Sequence, residues 1–243
     1  MQSKRLNKAI SETGFCSRRE ADRLIEAGKV IVNGTVSGLG VQVTANDKIE
    51  IDGQIITKEV PDIYLAFHKP VGITCTTDTS IKGNIIDYIN YPERIFPIGR
   101  LDKPSEGLIF MTNDGDVVNK ILRAGNNHEK EYIVTVNRKI TQAFIRQMSN
   151  GVPILDTVTK KCKVNRINDF TFNIVLTQGL NRQIRRMCTH LGYEVTRLKR
   201  VRIMNIKLDR LKTGEYRHFT DAEINEINRL VAGSSKTMEA SVD

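Results

Sequence analysis

The sequence predicts an α+β protein in two parts: a small α/β module at the N-terminus and a larger domain with a mixed, mainly antiparallel sheet flanked by helices. Three observations carry this reading. Helical periodicity near the N-terminus runs into an Asn-Gly turn within one short module. From Ile63 to Leu230, strand-like and helix-like segments alternate. In the Phe170 strand, Phe170, Phe172, Ile174 and Leu176 alternate with Thr171, Asn173 and Val175, the period-two pattern of an antiparallel sheet with one face more buried. A doubly wound parallel sheet fits this pattern less well.

In the first module, Leu6, Ala9 and Ile10 recur at helical spacing between Arg5 and Thr13, and Gly14 can close the helix. Ser17 and Glu20 form a capping box for a second helix carrying Ala21, Leu24 and Ile25 and ending at Gly28. Val30 to Val32, Asn33-Gly34 and Thr35-Val36 read as a hairpin, and Gly38 to Ile51 adds short strands. The stretch from Gly53 to Asp62 lacks periodicity and contains Pro61, so the linker falls there. The domains are expected at residues 1–57 and 63–232, with 233–243 as a small, polar, frayed tail. In the second domain, strands are expected at Tyr64 to Phe67, Leu108 to Met111, Tyr132 to Val136 and Phe170 to Leu176. Helices are expected near Ile85, Val117, Ile140, Gln183 and Asp221, the last opened by a Thr220–Glu223 capping box.

The 243 residues are 40% hydrophobic and 27% charged, enough apolar material to bury a core. The 37 Lys and Arg exceed the 28 Asp and Glu by nine, which suits a polyanionic partner without naming it. No apolar run approaches the roughly 20 residues of a membrane-spanning helix, and MQSKRLNKAISETG has no signal-peptide centre, so a cytoplasmic location is expected. Cys16, Cys75, Cys162 and Cys188 form no CxxC pair and are read as free thiols. His68, His128, His190 and His218 are equally scattered, and no metal site is predicted.

Arg5, Lys8, Arg18, Arg19, Arg23 and Lys29 make the first module basic, and the second helix offers amides and dipole to phosphate; a solvated basic face explains the charges equally well. In the second domain, Asp102 lies on a Pro- and Gly-containing turn just before a strand, where a rigid scaffold can present it to a cleft. An isolated Asp in such a place is more often a turn or cap residue. Asn181 can cap a helix ending at Gly192, which puts Arg182, Arg185 and Arg186 on one face; a salt-bridged surface helix has the same pattern. Strand alternation puts Lys130 and Tyr132 on one side of KEYIVTV, although most strand tyrosines only pack. Arg197, Lys199, Arg200 and Arg202 add charge after the arginine helix, which either extends an RNA groove or is equally a solvated run.

The letters around these residues sharpen the choice. GRLDKPSEGLIFMTNDGD resembles the signature of the RNA pseudouridine synthases, with Gly99, Arg100, Leu101, Asp102, Ser105, Gly107 and Leu108 in the family's order and spacing. KEYIVTV resembles the family's tyrosine motif and NRQIRRM its third motif. RLNKAISETGFCSRREADRLIEAGKVIVNG resembles the small RNA-binding domain named after ribosomal protein S-four. The resemblance runs from about Arg5 to about Leu230 and points to the branch that joins these two domains.

It implies Asp102 as the essential carboxylate, Arg185 as its partner, and Tyr132 stacked on the uracil and assisting its deprotonation. RNA contacts are implied at Arg5, Lys8, Arg18, Arg19 and Lys29, and at Arg100, Lys130, Asn181, Arg182, Gln183 and Arg186. It further implies ribosomal RNA of the large subunit as substrate, with transfer RNA as a second candidate. No cofactor, no metal, no membrane and no stable protein partner are implied, and the family normally works as a monomer. The rivals are a non-catalytic RNA-binding or ribosome-assembly protein of the same architecture and a sister synthase acting on another ribosomal site.

Overall fold

Leu6, Ala9 and Ile10 share one stripe of the first helix, and all three are buried against Ala21, Ile25, Val30, Val43, Ile49 and Ile51 in a small core of their own. In this computed structural model, which describes residues 3–57, 60–122 and 128–232, that core belongs to a first compact unit. The unit comprises residues up to Ile63, with Tyr91–Ile95 and Asn113–Gly115 added. Its elements are β1 (Lys4–Arg5), α1 (Leu6–Glu12), α2 (Arg18–Glu26), β2 (Val30–Val32), β3 (Thr35–Val36), β4 (Gln42–Val43), β5 (Ile49–Ile51) and β6 (Gln54–Ile55). Strands β3, β2, β5 and β6 form one antiparallel sheet, and β1 pairs with β4.

The hairpin turn forms as expected, and the Ser17–Glu20 capping box forms in its Ser17 half. Ser17 Oγ accepts from Glu20 N at 3.1 Å, while the Glu20 carboxylate pairs with Arg23. Asn33 and Gly34 take φ of 50° and 82°, the left-handed pair that a two-residue hairpin turn requires.

The second unit contains β7 (Tyr64–Lys69), α3 (Ile85–Ile89), β8 (Phe96–Ile98), β9 (Glu106–Thr112), α4 (Gly115–Leu122, from Asp116 on), β10 (Lys130–Val136) and α5 (Gln142–Asn150). It continues with β11 (Pro153–Ile154), β12 (Thr157–Val158), β13 (Lys163–Arg166), β14 (Thr171–Leu176), α6 (Gln183–His190), β15 (Val195–Ile203), β16 (Ile206–Lys207), β17 (Tyr216–His218) and α7 (Asp221–Ala232). Among the described residues, nine strands make one sheet in the order β13-β14-β10-β15-β9-β7-β17, with β16 beside β15 and β8 beside β9. Every pairing is antiparallel except β15 with β9, so the expected mixed, mainly antiparallel sheet is present. Leu108, Phe110, Ile203, Ile206 and Phe219 pack with Val117 and Ile121 of α4 and Ile227 and Val231 of α7.

The expected helix near Ile140 is present as α5, which starts at Gln142 because Thr141 caps it by accepting from Phe144 N. Two expectations need correction. Phe170 is 48% exposed and precedes β14, so the buried alternation begins at Phe172. Asn181 does not cap α6: the N-cap is Arg182, at φ 48° and ψ 34° without a side-chain cap, and the Asn181 oxygens accept from Arg186 instead. The expected tail at 233–243 lies outside the described residues.

At the start of α7 the capping box is complete: Thr220 Oγ1 accepts from Glu223 N at 3.2 Å, and Glu223 Oε2 accepts from Thr220 N at 2.9 Å. Arg217 donates to both oxygens of Glu223 at 2.7 Å and, more than any other group, holds that carboxyl below the usual glutamate range. A carboxyl depressed in the folded state stabilises fully above its unfolded pKa, and the benefit fades as pH falls through the folded value. Glu223→Gln should therefore cost about 1 kcal/mol at pH 7 and clearly less near pH 3, read from urea midpoints. An equal loss at both pH values would count against this pairing.

Candidate active site

Asp102 sits in the loop between β8 and β9, and that loop is tied down at several points. Cys75 Sγ donates to Leu101 O at 3.2 Å and accepts from Leu101 N at 3.4 Å, so the buried thiol clamps the residue before Asp102 from both sides. Ser105 N donates to Asp102 O, and Gly72 N donates to Lys103 O. Lys69, fully buried at the end of β7, donates to Pro70 O and Ile73 O and so shapes the neighbouring loop; burial pushes its pKa down.

The first turn of α6 aims Arg185 at the same loop. Its Nη2 donates to Pro104 O and Ser105 Oγ, and its Nη1 to Val195 O. Its Nε is buried without a hydrogen bond and faces Asp102 Oδ2 at 3.9 Å. The fork geometry of guanidinium allows this division of labour: two nitrogens fix the group while the third faces the carboxylate. Asp102 and Arg185 are thus brought together from positions 83 residues apart in the chain.

Tyr132 stands on β10 opposite Arg200 of β15, whose guanidinium lies 6.0 Å from the ring centroid. Arg200 is only 4% exposed; its Nε donates to Leu108 O at 2.6 Å and its Nη1 to Arg100 O at 3.5 Å. Sequence reasoning left Arg200 open between an RNA groove and a solvated charge run, and the reason it is buried instead is local. Glu131 pairs with Arg202 but Tyr132 pairs with Arg200, so Val201 is an extra residue, a β-bulge. Cross-strand partners share a face and successive residues alternate, so Arg200 joins the Tyr132 face while Arg202 joins Glu131 on the other. Arg202 accordingly bonds Glu129 and Glu131.

The remaining candidates are distributed as follows. Lys130 is partly buried, and burial, with Arg200 adding to it, pushes its pKa down to about 8. Gln183 is 5% exposed; its oxygen accepts from Leu180 N and its amide faces Met187 Sδ, so it supports the loop from inside rather than offering a surface contact. Arg100, Asn181, Arg182 and Arg186 are exposed. In the first unit, Arg5, Arg18 and Arg19 are exposed, Lys8 pairs with Glu12, and Lys29 pairs with Asp52. Among the described residues, no group of three or more His, Cys, Asp or Glu is placed to hold a metal, and no helix is long and apolar enough to cross a membrane.

Gly107 permits the only parallel contact of the large sheet among the described residues. It pairs with Arg200 at φ +115°, and a Cβ there would lie 2.3 Å from Arg200 O and 2.5 Å from Arg200 N. Gly107→Ala should destabilise the protein by about 2 kcal/mol or more and reduce activity with it. Calorimetry is the check, and an unchanged unfolding temperature would show that the close approach is not required.

Residues 63–190 match the family described as RNA pseudouridylate synthase, and residues 4–49 match the S4 domain. The chain is 58% identical over 235 residues to the dual-specificity RNA pseudouridine synthase RluF of Salmonella typhi, covering 96% of this chain and 81% of the relative. It is 35% identical to the ribosomal large subunit pseudouridine synthase B of Bacillus subtilis, over 93% and 96% of the two chains. A crystal structure of a pseudouridylate synthase superposes with a TM-score of 0.69 at 29% identity, covering 92% of this chain and 99% of the other. Likeness of this extent, with both domains in the same order, shows that the chain belongs to the RNA pseudouridylate synthase family and is a pseudouridine synthase carrying an S4 RNA-binding domain.

Proposed function

We propose that this enzyme isomerises a specific uridine of 23S ribosomal RNA, with a transfer RNA uridine as a second substrate, and that Asp102 is its catalytic carboxylate. The observation that carries the assignment of Asp102 is its 3.9 Å approach to an Arg185 nitrogen that has no other partner. The choice of RNA is supported by 58% identity to a relative named as dual-specificity, against 35% to the large-subunit synthase B.

In the reaction the C1′–N1 bond breaks, uracil turns, C1′–C5 forms, the C5 proton leaves and N1 gains a proton. Atoms and oxidation state balance without a co-reactant. The carboxylate acts either as a nucleophile at C1′ or as a base removing a ribose proton to give a glycal while uracil leaves as an anion. Both routes need an ionised carboxylate oxygen. Tyr132 offers an aromatic face for the flipped base and a hydroxyl for the C5 proton, and a target uridine must leave its stack before its glycosidic bond can be reached.

Asp102→Asn removes the charge with little change in volume, so turnover should fall by about 10³-fold or more while RNA affinity stays near wild type. Carbodiimide adducts and primer extension on ribosomal RNA, incubated with wild type or variant, give the readout. A stop produced only by wild type identifies both residue and target, and a stop retained with the variant removes Asp102 from the role. In the S4 domain, replacing Arg18 and Arg19 together by Gln should weaken RNA binding and flatten the log affinity against log salt slope by about 2. An unchanged slope would take those two residues off the RNA.

A further inference from the structure

Between α6 and the β11–β12 hairpin lies a cavity of about 530 Å³ whose lining divides by chemistry. Arg182, Arg186 and His190 line one side, and Ile154 and Leu155 the other. Arg185, whose guanidinium faces Asp102, is also among the lining residues. A second cavity of about 300 Å³ shares Pro153 and His190 with the first and is lined by Arg146 as well. No Asp or Glu is among the described residues that line either cavity.

The walls are fixed rather than incidental. Leu155 and Asp156 take φ of 49° and 57°, which makes a tight two-residue turn and holds Leu155 45% exposed. At the base of the hairpin, Val152 and Thr159 exchange hydrogen bonds, and Gly151 passes so close that a Cβ would lie 2.6 Å from Thr159 O. On the opposite wall, Asn181 orients Arg186 through its backbone and side-chain oxygens. Arg197, Arg202, Arg217 and Arg229 each pair with a glutamate, whereas Arg182 and Arg186 have no carboxylate partner among the described residues. A rigid apolar ledge facing uncompensated cations matches a nucleotide, which presents a flat base on one side and a charged phosphate on the other.

We propose that this cavity receives the nucleotide next to the target uridine, with its phosphate on Arg182 and Arg186 and its base against Ile154 and Leu155. The proposal rests on the reading of Asp102 and Arg185 as the catalytic pair, because Arg185 is what joins cavity and carboxylate. It makes the hairpin a reader of the sequence flanking the target.

The test starts from the target located with wild type. A short RNA of that sequence is made with one phosphate at a time replaced by a neutral methylphosphonate, and kcat/KM is measured for wild type and Arg186→Gln. Wild type should lose about tenfold at one phosphate beside the target, and Arg186→Gln should lose about as much on unmodified RNA but nothing further at that phosphate. Leu155→Asn, whose side chain suits the left-handed backbone, should show the same masking against an abasic neighbour. Losses that multiply at every position for both variants would overturn the cavity as a subsite and leave the catalytic reading standing. Wild type that turns over no RNA would take down the active-site reading and the cavity with it.

Discussion

The large sheet turns on one close approach: Gly107 of β9 against the Arg200 backbone of β15. Only there among the described residues do two strands run parallel, and only a residue without a Cβ fits. The contact fixes where β15 lies, and the bulge at Val201 then decides which of its arginines enters the interior. Arg200 goes in and donates to Leu108 O on β9, tying the strand that follows the Asp102 loop to the strand that backs Tyr132. Tyr132 and the start of the strand after the Asp102 loop are therefore positioned by backbone geometry in the sheet, while Asp102 itself is held by the bonds of its loop.

Arg185 performs the matching task for the loop itself. Its bonds to Pro104 O and Ser105 Oγ hold the loop, and its bond to Val195 O ties the helix to β15. Removing it would loosen Asp102 and strip away its cation at once, so the consequences for position and for charge cannot be separated by a simple truncation. Arg185→Lys keeps the charge but not the fork, so its difference from wild type isolates the positional part and its difference from the alanine variant isolates the charge.

Much of this was legible in the residues. Apolar spacing located α1, α2 and α7, the Asn-Gly dipeptide located the first hairpin, and the motif letters singled out Asp102, Tyr132 and Arg185. What was hidden shares one physical character: it depends on register or on a single backbone angle. Strict alternation puts Arg200 and Arg202 on one face, and only the inserted Val201 separates them. Asn181 has the chemistry of a cap, yet the chain turns one residue later, through a left-handed Arg182 that no propensity favours. Gln183 looks polar and available, and is buried because the loop before α6 folds back onto its side chain. Pairwise spacing carries none of these, because each is settled by what the partner strand or loop does.

The arginines of the second domain are also sorted by the acceptors they meet. Arg202, on one face of β15, is bonded to Glu129 and Glu131, so little of its charge remains uncompensated. Arg200, on the other face, is held by carbonyl oxygens, and Arg185 by carbonyls and a hydroxyl. Neutral acceptors position a guanidinium without cancelling its charge, at the cost of desolvating it. On the proposed reading of Asp102 as the catalytic carboxylate, that charge has a purpose, since an RNA strand would bring phosphates toward an ionised carboxylate. A site built from neutralised ion pairs would be easier to bury but would offer nothing to offset the repulsion between Asp102 and the incoming backbone. On that proposed reading, holding both guanidiniums by dipoles would let one acidic side chain work against a polyanion.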